Sequence, residues 1–241
     1  MPQKHAHIPE NTRVYAIGDV HGRLDLLERL LNTIAQDSKT APNRRVLVML
    51  GDLVDRGPDS FGVLNALTEL HTQPPFDTFE IHFIKGNHEQ LMQDFMSGSE
   101  PDIWFNCGGM ATLTSYNVPY LSDDEDVSVM RDSLNQAMPA SHHRLLESMK
   151  SIHREGGYAF VHAGVRPGVS LQNQDPDDLM WIRASFLDAQ HDFGAMIVHG
   201  HSPVIVPDVL SNRIAIDTRA WCSGTLTAVS LEGTEQRFLS T

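Results

Sequence analysis

Five short stretches carry residues whose types could do chemistry together. Asp19 and His21 stand in GDVHG, Asp52, Asp55 and Arg56 in GDLVDRG, and Asn87 and His88 in GNHE, with Lys85 just ahead. His162 follows in FVHAG, and His199 and His201 in IVHGHSP. A mixed set of imidazole, carboxylate and amide donors without thiolate suits a borderline first-row cation such as Mn, Fe or Zn rather than calcium. The donors outnumber the positions of one tetrahedral site, so two ions sharing a bridging carboxylate is the economical count. Two cations about 3.5–4 Å apart would lower the pKa of a water between them and clamp both ends of an in-line displacement at phosphorus. A neighbouring arginine supplies the planar fork that recognises phosphate oxygens.

Singly, each residue has a plainer reading. An aspartate after glycine at a strand end is usually an Asx-turn residue, Asn87 is a turn former, and a lone Arg56 is solvated. His82, in EIHFIK, is read as an ordinary strand histidine. The plain readings fail for the set, because GD-x-HG, GD-x-VDRG and GNHE recur in order, each at the end of an apolar run.

Those runs are the elements that must position the charges. RVYAIGDVHG reads as a strand over 14–17 running into a Gly-punctuated turn, and RRVLVMLGD and FEIHFIKGNHE as two more. Helices follow each: RLDLLERLLNTIAQ, with Leu24, Leu27, Leu31 and Ile34 on one face; PDSFGVLNALTELH, capped by Asp59 or Ser60; and EQLMQDFM. Strand, turn and helix three times over predict βαβ units and a mostly parallel sheet whose strand ends carry the ligands. Residues 98–155 read as a helical insertion, with a capping box at Ser122 and Glu125 and a helical face of Leu145, Met149 and Ile152. Short strands at 158–162, 195–199, 203–206, 213–217 and 225–231 predict a second sheet packed on the first. The expected fold is therefore α/β, two packed mixed β-sheets flanked by helices, as one domain over 1–241.

Composition narrows the function. The chain of 241 residues has 18 Lys+Arg against 31 Asp+Glu, a formal charge of −13 that is unlike the basic footprint of a nucleic-acid-binding protein. Apolar residues make up 41%, enough for a sizeable core. Two cysteines without framework spacing, no secretory h-region and no apolar run of membrane-spanning length lead to the expectation of a cytoplasmic protein with neither membrane nor nucleic-acid partner. A cysteine-nucleophile phosphatase needs Arg six residues after its thiol; Leu113 and Ala228 stand at that spacing from Cys107 and Cys222.

GDVHG, GDLVDRG, GNHE, FVHAG and GHSP together resemble the metallophosphoesterase superfamily, and within it the PPP-type serine/threonine protein phosphatases, most like short bacterial and phage members. The resemblance runs from GDVHG to IDTRAWCSGTLTAVSL and is weakest in 98–155. It implies the α/β/β/α sandwich and two divalent ions, with manganese expected and Fe or Zn as alternatives. It makes Asp19 and His21 ligands of the first ion, Asp52 the bridge, and Asn87, His162 and His201 ligands of the second. His201 is preferred over His199 because the family's last motif reads Gly-His, a small hydroxyl residue and Pro. His88 matches the general acid, Asp55 its orienting partner, and Arg56 and Arg183, the latter in WIR, the phosphate clamp. Lys85 stands where many members have Arg, and an ammonium lacks the bidentate fork.

The implied function is hydrolysis of a phosphomonoester, on a phosphoprotein or phosphopeptide, by direct in-line attack of metal-activated water without a phosphoenzyme. One alternative is a dinucleoside polyphosphate hydrolase. That family resembles this chain but carries Gln in place of the first-motif His and lacks the Asp-Arg pair, whereas His21, Asp55 and Arg56 are present here. A second is a broad-specificity phosphomonoesterase. A binding module that has lost activity would lack a ligand or the acid, and none is missing.

Overall fold

The computed structural model describes residues 6–119 and 127–241. The capping box expected at Ser122 and Glu125 lies outside them. Among the described residues ten strands form two five-stranded sheets. The first contains β1 (Thr12–Ile17), β2 (Arg44–Met49), β3 (Glu80–Phe83), β9 (Thr227–Glu232) and β10 (Glu235–Ser240), ordered β10-β9-β1-β2-β3. β1, β2 and β3 are mutually parallel, and β9 and β10 add to them antiparallel. The second contains β4 (Ile152–Glu155), β5 (Tyr158–Val161), β6 (Met196–His199), β7 (Asp208–Val209) and β8 (Arg213–Ala215), ordered β4-β5-β6-β8-β7.

Side-chain alternation along the strands separates the layers. Val14 and Ala16 of β1, and Val46 and Val48 of β2, meet Tyr158 and Phe160 of β5 between the sheets. The intervening Tyr15, Ile17, Leu47 and Met49 face the helices instead. On the far side of the second sheet, Ala159, Val161 and Ile197 pack under Leu179 and Phe186. All four layers are thus fixed by a period of two in three strands, and the sandwich has helices on both faces as expected.

The helices on the first face are α1 (Leu24–Asp37), α2 (Ser60–Glu69), α3 (Asn87–Met96), α4 (Asp102–Asn106), α5 (Gly109–Ser115), α6 (Val127–Ala137) and α7 (Ala140–Ser148). α1 buries Leu26, Leu27, Leu30, Leu31 and Ile34, a stripe wider than the expected face, while Leu24 is only partly covered. Full burial of each such side chain contributes about 1.5–3 kcal/mol. Asp59 is the N-cap of α2, its side chain accepting the Gly62 amide at 2.7 Å. On the second face lie α8 (Pro176–Trp181) and α9 (Ala184–Leu187), and α10 (Ala220–Ser223) follows β8.

Three expectations fail in detail. The run 225–231 joins the first sheet as β9, beside β1, not the second. No strand forms at 203–206; pairing occurs at 208–209. α7 stops at Ser148, so Met149 lies beyond its end and Ile152 opens β4. The reason is tertiary: Lys150 bridges Ile84 in parallel, and its carbonyl accepts the Lys85 amide at 2.9 Å, which draws the chain out of the helix and joins the edges of the sheets. Among the described residues no helix is long and apolar enough to cross a membrane.

Candidate active site

The loops leaving β1, β2, β3, β5 and β6 meet at one end of the sandwich, and backbone bonds stitch them together. The amides of Val20 and His21 donate to the Asp52 carbonyl at 3.1 and 2.8 Å, and Gly22 to Leu53 at 2.9 Å. Gly200 donates to the His162 carbonyl at 2.8 Å, joining the two loops of the second sheet. His21, Asp52, Asp55, Arg56 and His201 all have positive φ, between 47° and 71°. Non-glycine residues in this region are uncommon and are held there by surrounding structure. Two glycines make room for the carboxylates: a Cβ on Gly200 would overlap Asp19, and one on Gly86 would overlap Asp52.

Asp52 sits at the centre. Its Oδ2 is 3.5 Å from His21 Nε2 and 3.8 Å from His88 Nε2, and its Oδ1 is 3.3 Å from His162 Nε2. Among the described residues two groups of donors lie close enough to share an ion: His21, Asp52 and His88, and Asp52, His162 and His201. Asp52 belongs to both. Asp19 lies beside them, accepting the His201 amide at 3.1 Å and raised by burial, Asp217 and Asp52. Asn87 Oδ1 is 2.9 Å from His162 Nε2. Asn87 and His88 open the first turn of α3, whose amide end favours anions; the His88 amide donates to Asp52 Oδ1 at 3.1 Å.

The donors fit divalent cations on three observations. His21 and His162 each hold Nδ1 2.8 Å from a carbonyl, of Val54 and Leu50, which leaves the Nε2 lone pair facing Asp52. Nε2 of His162 then faces the Asn87 oxygen lone pair to lone pair, an arrangement that a cation makes favourable. Burial lowers the histidines, His21 to about 3 and His201 to about 2, so they stand neutral with Nε2 free to ligate, and Nε2 of His201 is buried without a hydrogen-bond partner. Burial also raises Asp19, Asp217 (to about 6, with Asp52 adding to it) and Glu89 (to about 7, likewise). The cluster thus holds more buried carboxylate than its arginines offset.

His88 stands apart from the other histidines. Burial alone would lower it, but Asp52 and the hydrogen bond to Asp55 outweigh this and raise it above its ordinary value. Its Nδ1 is 2.7 Å from Asp55 Oδ2, and its Nε2 is 3.1 Å from an Arg56 guanidinium nitrogen. Asp55 is fully buried and further held by Trp104 Nε1 at 3.0 Å and Thr112 Oγ1 at 2.6 Å. Arg56 is exposed at the mouth. Arg183, also exposed, precedes α9, and its charge is felt at His162, His201 and Asp217. Lys85 is turned elsewhere: its ammonium donates to Gln90, on α3, and it feels Asp94 and Glu89. His199 lies outside both donor groups, its ring edge-on to Phe186.

Four residues were not found from sequence. Glu89 accepts the amides of Asp52 (2.9 Å), Leu53 (2.7 Å) and Gly86 (2.9 Å), holding the β2 loop on α3. Its signal was present, since Glu at the third position of a helix commonly reaches back to the cap. Asp217, an aspartate just past β8, follows the same strand-end rule as Asp19 and Asp52. Trp104 and Thr112 come from α4 and α5, inside the insertion, and nothing local marks them.

Known proteins resemble this chain along nearly its whole length. A bis(5'-nucleosyl)-tetraphosphatase PrpE [asymmetrical] of Halalkalibacterium halodurans is 27% identical over 235 residues, covering 88% of this chain and 87% of that one. Serine/threonine-protein phosphatase 1 of Salmonella typhimurium is 28% identical over 224 residues, covering 91% and 92%. The solved structure of a cold-active protein tyrosine phosphatase shares the fold with a TM-score of 0.66 at 20% identity, covering 97% of this chain and 81% of that one. The sequence pattern described as calcineurin-like phosphoesterase matches residues 12–220. That match spans the loops of both sheets that converge on Asp52, and the chain belongs to the calcineurin-like phosphoesterases, a family of metal-dependent phosphoester hydrolases.

Proposed function

We propose that the protein is a phosphomonoester hydrolase of the serine/threonine phosphatase type, with a phosphoprotein or phosphopeptide as substrate. The observation that carries this reading is the Asp55–His88–Arg56 arrangement, a buried carboxylate on one imidazole nitrogen and a guanidinium at the other. Asp19, His21 and Asp52 would hold one cation, and Asp52, Asn87, His162 and His201 the second, manganese being the expected metal. When bound, the pair would lower the pKa of a water lying between them and offset charge building at phosphorus.

The chain's own groups do the rest. Arg56 and Arg183 hold phosphate oxygens by paired N–H donors at the mouth. His88, kept in one tautomer by Asp55, carries a proton on Nε2 toward the oxygen that leaves, and the carboxylates of Asp52 and Asp55 favour its protonated form. Asp55, held by Trp104 and Thr112, fixes the orientation of the His88 ring. Lys85, paired with Gln90, has no part in this reading of the phosphate site.

A second reading, hydrolysis of dinucleoside polyphosphates, is favoured by the similarity to PrpE-type tetraphosphatases. The two separate in one experiment. Protein stripped of metal and restored with Mn²⁺ is assayed for kcat/KM on phosphoserine and phosphothreonine peptides against diadenosine tetraphosphate. We expect the peptides to win; preference for the dinucleotide would replace the first reading with the second.

A further inference from the structure

The chain has three tryptophans, and each lies beside the candidate site. Trp104 is buried and donates to Asp55. The other two are on the surface. Trp181 is 40% exposed and closes α8, its ring edge-on to His201 with centroids 6.3 Å apart. Trp221 is 41% exposed in α10, with the Arg56 guanidinium 5.5 Å above its ring.

The backbone that carries each ring is anchored. Trp181 is followed by Ile182, buried beneath the second sheet, and the Ile182 amide donates to Asp178 at 3.0 Å. α10 starts from Arg219, held at φ 56° with its amide on Asp217 at 2.9 Å, and the carbonyl of Ala220 accepts from Arg23 at 2.9 Å. A single exposed apolar side chain on a protein surface means little. Two indoles against two different groups of one polar cluster, one at a candidate metal ligand and one at the phosphate clamp, mean more. Stacking on an exposed aromatic ring contributes about 1–3 kcal/mol per base and does not discriminate strongly among planar rings.

We infer that Trp181 and Trp221 are specificity-determining walls that stack a planar aromatic ring carried by the substrate close to its phosphoryl group. The inference rests on the assignment of Arg56 to phosphate, and it extends the proposed function: besides phosphoserine and phosphothreonine, the site accepts, with added affinity, a phosphate ester or anhydride bearing a ring within reach of the clamp. A nucleobase and the phenol ring of phosphotyrosine present the same chemistry. Trp221 serves twice, holding Arg56 over one part of its surface and leaving the exposed part for the substrate ring.

Two measurements test it. The first needs no turnover: indole fluorescence of the Mn²⁺-loaded full chain is titrated with adenosine monophosphate, phenyl phosphate and inorganic phosphate. Saturable quenching by either ring-bearing ligand beyond that by phosphate is expected, and which of the two quenches identifies the ring. Quenching no greater than that by inorganic phosphate overturns the inference even if the protein proves to be an active phosphatase. The second is the ratio of kcat/KM between a phosphotyrosine peptide, or diadenosine tetraphosphate, and the phosphoserine peptide of matched sequence. Trp181→Leu and Trp221→Leu should each lower that ratio roughly five- to a hundredfold, the range that loss of one stacking contact implies, and Phe at either position should restore most of it. A fall shared equally by all substrates would assign the rings to supporting the metal cluster and Arg56 alone. If no substrate is turned over, the proposed function fails, while the quenching result still decides the inference.

Discussion

At the scale of single residues, His88 and His21 show how one side-chain type is given two tasks by its partners. The rings lie 4.6 Å apart, edge to face. His21 spends its Nδ1 proton on the Val54 carbonyl and, buried, is lowered to about 3, which leaves it a neutral donor. His88 spends its own on the Asp55 carboxylate, and the negative charge there and at Asp52 lifts it. Under the proposed roles, His88→Asn should keep its metal content while losing roughly 10²–10⁴ in kcat on alkyl phosphoesters, and lose less on esters with good leaving groups. Metal analysis beside the two rate series checks this. Equal losses on both ester classes would remove the acid role from His88. That both histidines belong to one cluster was legible in the sequence because each motif pairs the charged residue with glycines. The second nitrogen of each ring was not, since carbonyl partners such as Leu50 and Val54 leave no mark in side-chain types.

At the scale of elements, α3 is the piece on which the site hangs. Its first turn presents Asn87 and His88, and its third position sends Glu89 back under the β2 loop. Glu89→Ala would leave the buried amides of Asp52, Leu53 and Gly86 without an acceptor. At about 1–3 kcal/mol for a buried donor left unpaired, part of it recovered by relaxation, the loss should be on the order of 2–4 kcal/mol. That corresponds to a fall in Tm of roughly 5–10 °C for a chain of this size. Calorimetry of the metal-free protein measures it directly, and an unchanged Tm would mean that water satisfies the loop. Elements were readable where a local period held, as in β1, β2 and α1. They were misread where an apolar run had no pairing partner: Ile205 and Val206, at 86% and 68% exposed, look like strand residues but lie in a loop between prolines. Pairing of β9 with β1, more than two hundred residues apart in sequence, is set by packing, and no local pattern carries it.

At the scale of the whole molecule, the interior holds neutral histidines in separate layers. His142 of α7 is fully buried, its Nδ1 2.7 Å from the Tyr116 hydroxyl, and His199 lies under the second sheet. Burial lowers both to about 4 from an ordinary value near 6.5. Between those values the unfolded chain binds protons that the folded chain refuses, so stability is complete above about pH 6.5 and is lost progressively as pH falls toward 4. Denaturant titrations at pH 7, 6 and 5 should show this decline. His142→Gln, which keeps an acceptor for Tyr116 but cannot titrate, should make it shallower; parallel curves for the two proteins would show that His142 is protonated in the folded state without cost.

The candidate ligands are divided between the two sheets: Asp19, His21, Asp52 and Asn87 follow strands of the first, and His162 and His201 follow strands of the second. Among the described residues, a backbone bridge of Ile84 to Lys150 and side-chain bonds of Arg44 to Glu155 and Gln236 to Tyr158 also join the sheets. Under the proposed ligand set, neither sheet alone can complete the second ion's shell. Uptake of the full pair then acts as a latch that closes only on a correctly docked sandwich. A chain with one sheet formed and the other astray would carry an incomplete shell, and its weak grip on metal would distinguish it from the mature fold.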